Sequence, residues 1–171
     1  WYDGKLQFSK AYGKSNLDTG EDLTTSHLFR IASHSKTFTA TAVMQLVEAG
    51  KLRLDDTAGQ WIPELKEAGS PLADVTVRQL VSQTGGVIRD GVDATYWAHA
   101  RPFPDEKELL ELSIREGVVR QPESTFKYTN IGFSLLGMII GAAAGSTYND
   151  YTKTAIVEKL GITNTGPELD E

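Results

Sequence analysis

Two long stretches of the chain carry no charged side chain, and they set its architecture. The first runs from Thr37 to Val47, between Lys36 and Glu48. It predicts a buried helix from Ser35 or Lys36 to about Ala49, with Val43, Leu46 and Val47 at core spacing and Gly50 as C-cap. The second, Ile131 to Ala144, is apolar except for Ser134 and predicts another buried helix, too short to span a bilayer. Its Gly137, Gly141 and Gly145 at four-residue spacing favour close helix packing over a membrane dimer face. Asp105 to Glu116 is amphipathic: Leu109, Leu110, Leu112 and Ile114 share the apolar side, Asp105 and Glu108 suit the first turn, and Gly117 closes it. Thr76 to Gln83 reads as a short helix with Leu80 and Val81 inward, capped by Thr76 or Asp74 and stopped at Gly85-Gly86. Thr147 with Asp150 reads as a capping pair for a last helix, Tyr148 to Leu160.

Between these elements the pattern changes. Trp1 to Tyr12 alternates in part, Leu6 and Phe8 against Gln7 and Ser9, with turns at Asp3-Gly4 and Gly13 to Asn16, which predicts a leading β-hairpin. Lys51 to Asp56 is a polar turn, and Trp61-Ile62-Pro63 places an aromatic anchor before a proline break. Val87 to Pro104 is irregular and carries Arg89-Asp90, Tyr96-Trp97, His99 and Arg101. A loop of that length is either substrate-facing or simply packed on the surface.

The candidate chemistry lies at the start of the first uncharged helix. Ser33 and Lys36 are one turn apart on the same side of it. A serine hydroxyl becomes a nucleophile when a neighbour takes its proton, and an amine within hydrogen-bond reach can do so. A backbone N-H at the helix start is also free to meet a developing oxyanion. The pattern is short and Ser124-Thr125-Phe126-Lys127 repeats it, but that copy lies in a polar approach behind Pro122. Tyr128-Thr129-Asn130, the only Tyr-x-Asn in the chain, would add a phenol and an amide to the same pocket. Each residue also has an ordinary use: Ser33 as N-cap, Lys36 as a solvated lysine, Tyr128 as a core aromatic, Asn130 as cap of the following helix. His34 adjoins Ser33 and so points to another side of the helix. His27 and His99 have no ligand-like spacing, and the chain lacks a His-Glu-x-x-His zinc motif, a Gly-x-Ser-x-Gly elbow and a glycine-rich phosphate loop.

Ser33-His34-Ser35-Lys36 with Thr-Phe-Thr-Ala behind it, Gly50-Lys51-Leu52-Arg53-Leu54-Asp55-Asp56, and Tyr128-Thr129-Asn130-Ile131-Gly132-Phe133-Ser134-Leu135-Leu136-Gly137 together resemble the serine beta-lactamase and penicillin-binding superfamily. The resemblance is greatest to the branch of class C enzymes, DD-peptidases, D-aminopeptidases and related esterases, and covers nearly the whole chain. It implies an α+β fold in which residues 1–30 supply leading strands and residues 31–171 the helical region, with further C-terminal strands missing. It further implies acyl transfer without metal or organic cofactor, Ser33, Lys36 and Tyr128 as catalytic residues, and Asn130 as a substrate-binding residue. Whether Lys36 or Tyr128 is the base stays open at this stage, and the substrate is a beta-lactam, a D-amino-acid peptide or an ester. The alternative is an inactive relative that binds peptide or cell-wall fragments. Gln83-Thr84-Gly85-Gly86 departs from the family's usual His-Thr-Ser-Gly, and Pro122-Glu123 from its Pro-Gly. The third motif, Lys-Thr-Gly or His-x-Gly, would fall beyond Glu171, so truncation at both ends and little turnover by this segment alone are expected.

Composition narrows the partners. The 171 residues suffice for one core, and a net charge of −6 without a basic cluster argues against nucleic acid as partner. A small-molecule or peptide substrate fits, with no membrane span in this segment. The absence of cysteine excludes disulfides and leaves an exported, cell-envelope or cytoplasmic location open, as it does the oligomeric state.

Overall fold

A computed structural model describes residues 1–117 and 125–167, and divides the chain into two compact units, Trp1–Ala32 and Ser33–Glu171. In the first unit the expected leading hairpin is not present as strands. Only isolated bridges form, Tyr2 with Lys5 and Lys14 with Asp22, and the second closes a loop whose turn is organised by the Asn16 side chain, Oδ1 accepting from the Asp18 and Thr19 amides. Leu6 and Phe8, which alternation placed on one face, are solvent-exposed, as is Tyr12. A two-stranded ribbon is marginal without further strands to cover it. Among the described residues there is no strand anywhere, so the helical part of the expected α+β fold is what is seen.

The second unit is built around one helix. α1 spans Ser35–Glu48, α2 Ala58–Trp61, α3 Pro63–Glu67, α4 Val77–Val81, α5 Glu106–Glu116, α6 Ile131–Ala144 and α7 Tyr148–Thr152. α6 packs against α1, α2, α4, α5 and α7. That central position explains its composition, since a helix enclosed on most sides must be apolar on most sides. Leu135, Leu136, Ile139 and Ile140 are fully buried, joined in one core by Val43 and Leu46 of α1, Leu65 of α3 and Leu80 of α4.

Several predicted boundaries hold to within a residue or two: Thr76 caps α4, its Oγ1 accepting from the Gln79 amide, and Asp105 caps α5 through the Glu108 amide. The last helix is shorter than predicted; after α7 the chain widens into a π-helical segment, Lys153–Val157. Pro63 opens α3 as well as breaking the chain, as a proline at the first helical position can. Gly141 and Gly145 serve a tight return: a Cβ on Gly141 would stand 3.1 Å from the Ser146 carbonyl, and Gly145 turns at φ +70°. α1 differs from expectation. Its uncharged sequence predicted a buried helix with Val43, Leu46 and Val47 at core spacing; Val43 and Leu46 are buried with Thr39 and Ala42, while Thr37, Thr41 and Met44 face solvent.

Candidate active site

Ser33 lies in a single 3-10 turn, Ala32–His34, that leads into α1. Its side chain caps nothing; α1 has no side-chain cap at its N-terminus. Instead the Ser33 hydroxyl is hydrogen-bonded to the Tyr128 phenol at 2.6 Å, across 95 positions of sequence. Lys36, in the first turn of α1, donates from Nζ to Asn130 Oδ1 at 2.6 Å. The same amine stands 4.9 Å from the centre of the Tyr128 ring and 5.6 Å from that of Phe133. Lys36 is therefore half-buried between two aromatic faces that attract a cation, not free in solvent. His34 is exposed and takes no part in these bonds; His27 belongs to the first unit, where its Nδ1 meets Thr24; His99 sits in a left-handed turn at φ +56°. Ser124, the competing serine, and Pro122-Glu123 lie outside the described residues.

The segment that delivers Tyr128 and Asn130 is neither helix nor strand and is tied down before α6 begins. Gln83 accepts the Lys127 amide on its carbonyl at 2.9 Å and the Thr129 amide on Oε1 at 3.0 Å. Thr129 is buried; its hydroxyl donates to the Ile88 carbonyl at 2.7 Å and accepts the Gly132 amide at 2.9 Å, so Thr129, not Asn130, caps α6 through its side chain. The Asn130 and Ile131 amides both meet the Arg89 carbonyl. Asn130 is thereby left free to use its amide within the site: Oδ1 toward Lys36, Nδ2 toward the Asp90 carboxylate at 2.5 Å.

Gln83, Arg89 and Asp90 are the residues that sequence reasoning passed over. Gln83 holds a left-handed backbone at φ +59°, a conformation uncommon for a residue with a Cβ, and its two acceptors anchor the Lys127–Thr129 stretch. The only signal for it was its departure from the family pattern, which reads as a loss until its bonds are seen. Arg89-Asp90 stood within a loop with no spacing to mark them.

Electrostatics follow from this packing. The Tyr128 phenol is held below its ordinary pKa, first by the Lys36 ammonium close to it and then by the bond to the Ser33 hydroxyl; burial works against this, and the positive charges of Lys36 and Arg89 add smaller contributions to the lowering. The Arg89 guanidinium carbon stands 5.6 Å from the Tyr128 ring. Chemically, an exposed hydroxyl bonded to an acidified phenol beside a fixed ammonium can pass a proton and carry out nucleophilic attack. Among the described residues no cluster of three or more His, Cys, Asp or Glu side chains could hold a metal ion.

The beta-lactamase family model matches residues 1–171. The chain belongs to the beta-lactamase family. Among curated relatives it is 30% identical to penicillin-binding protein 4* of Bacillus subtilis (strain 168) over 95% of its own length and 35% of that protein's. It spans about a third of the length of that relative, and likewise of protein flp from Staphylococcus aureus, to which it is 26% identical. Among solved structures, the penicillin-binding protein of Bacillus halodurans superposes with TM-score 0.76 at 31% identity, covering 90% of this chain and 46% of that one. D-amino acid amidase from Ochrobactrum anthropi SV3, complexed with L-phenylalanine, superposes with TM-score 0.70 at 30% identity, over 88% and 40%.

Proposed function

We propose that the protein carrying this chain is a serine hydrolase that works through an acyl-enzyme, on a beta-lactam, a D-amino-acid peptide or amide, or an ester. The observation that supports this best is the 2.6 Å bond between the Ser33 and Tyr128 hydroxyls with the Lys36 ammonium beside the phenol. Tyr128 is the base in this reading. Lys36 donates to Asn130 Oδ1 and stands beside the Tyr128 ring, where its positive charge favours the phenolate.

In acylation the phenolate takes the Ser33 proton as Oγ bonds to the carbonyl carbon. The tetrahedral intermediate then breaks its bond to the leaving group, which receives the proton from Tyr128. Water, deprotonated along the same route, attacks the ester carbonyl and releases the acid with Ser33 restored. Asn130 orients substrate beside Lys36.

The test is covalent labelling of the full-length protein by a fluorescent penicillin and by a fluorophosphonate, with the adduct located by peptide mass spectrometry. The expected adduct is on Ser33 and is lost in Ser33→Ala. Absence of any adduct on Ser33 with both probes overturns the reading.

A further inference from the structure

We propose that Asp90 is a positioning residue which fixes the Asn130 amide with its oxygen toward Lys36; the catalytic consequence rests on the acyl-transfer reading above, the geometry does not. An asparagine side chain has nearly the same shape with oxygen and nitrogen exchanged, so its neighbours decide which end goes where. Lys36 only donates and therefore demands the oxygen. The nitrogen, turned the other way, needs an acceptor, and Asp90 Oδ1 stands 2.5 Å from Nδ2. Were the amide flipped, its N-H groups would face an ammonium and its oxygen a carboxylate. Both bonds would be lost and both contacts would become repulsive.

Asp90 can impose this because it is itself immobilised. It is buried, the Arg89 Nε stands 2.9 Å from Oδ2, the Trp97 indole donates to Oδ1 at 3.1 Å, and the Tyr96 hydroxyl donates to its backbone carbonyl at 2.5 Å. Tyr96 and Trp97 pack on one another and on Phe103, which sets the base of the loop. Residues 89 and 90 thus hold Asn130 twice, the Arg89 carbonyl by its backbone amide and the Asp90 carboxylate by its side chain. A carboxylate that served the loop alone would have Arg89 and Trp97 as sufficient partners; its third bond goes to a group of the site.

The experiment is a double-mutant cycle in the full-length protein, read as the rate of Ser33 acylation, together with the Asn130 side-chain amide signals in protein labelled with 15N-asparagine. Asp90→Ala should slow acylation about tenfold to a hundredfold at saturating probe, the loss expected when a buried amide is left unpaired and free to turn. The probe concentration for half-maximal rate should change much less. Asp90→Asn keeps an acceptor for Nδ2 and should recover most of that loss. In an Asn130→Ala background Asp90→Ala should have no further effect, because the group it acts through is gone. An equal, additive loss in that background, or acylation by Asp90→Ala at the wild-type rate, overturns the proposal. The amide signals decide independently of turnover, and also if Asp90→Ala does not fold: one Asn130 amide proton in the wild type should exchange slowly with water, and free exchange of both overturns the proposal. Failure of both probes to acylate wild-type Ser33 would instead overturn the functional reading and leave the amide signals to judge Asp90.

Discussion

The phenol of Tyr128 is where charge and geometry meet. Its pKa is lowered chiefly by Lys36, next by the Ser33 hydroxyl and least by Arg89, so less alkaline conditions suffice to form the phenolate. If the phenolate is the base, as proposed, acylation should rise with pH and level off once Tyr128 has titrated below its usual value. Arg89→Gln removes one source of positive charge at a side chain that is itself exposed. The rise should then move to higher pH, as a pH profile of labelling rate would reveal; a shift to lower pH would contradict the sign. Tyr128→Phe removes the hydroxyl bonded to Ser33 and, on the proposed mechanism, should slow acylation on the order of a hundredfold to ten-thousandfold, the usual contribution of a positioned base. The identity of these residues was legible in sequence, since Ser-x-x-Lys and Tyr-x-Asn are short patterns of chemically suited side chains. Their partners were not. Asp90 and Gln83 act through bonds to residues 40 and 46 positions away, and no local spacing encodes such a bond.

Among the elements, α6 shows how a cap can serve a site. Thr129 bonds the first turn of α6 and the Ile88 carbonyl at once, leaving Asn130 for Lys36 and Asp90. Thr129→Val keeps the shape and removes both bonds. It should cost about 1 to 2 kcal/mol of stability, measured as a lower denaturant midpoint with unchanged slope. The helices were predictable because their signals are local: uncharged runs, caps at Thr76, Asp105 and Thr147, and glycine stops. The leading hairpin was not, because alternation of apolar and polar residues describes a face and does not supply the strands that would cover it. The exposed side of α1 teaches the same lesson in reverse. A run without charge shows that burial is allowed, and only the neighbours show where it happens.

Across the second unit, stability rests on α6 and the residues it gathers. Ile139→Ala and Leu136→Ala, both fully buried, should each lose about 2 to 5 kcal/mol by urea denaturation, whereas Met44→Ala on the exposed side of α1 should change stability by no more than about 0.5 kcal/mol. Equal losses at all three positions would mean that the core is not where the packing puts it. The same packing lays α1 and α6 together, and so brings Ser33 and Lys36 at the start of one helix to Tyr128 and Asn130 at the start of the other.

By itself the sequence determined which chemical groups are present, which stretches become helices and which family the pattern resembles, for these depend on side-chain identity and on neighbours within a few residues. That Ser33 meets Tyr128, that Lys36 is held by an amide and two rings, that Thr129 and not Asn130 caps α6, and that a loop carboxylate turns the Asn130 amide were decided only by tertiary structure. Such contacts join residues tens of positions apart, and their distances are fixed by how buried helices pack together.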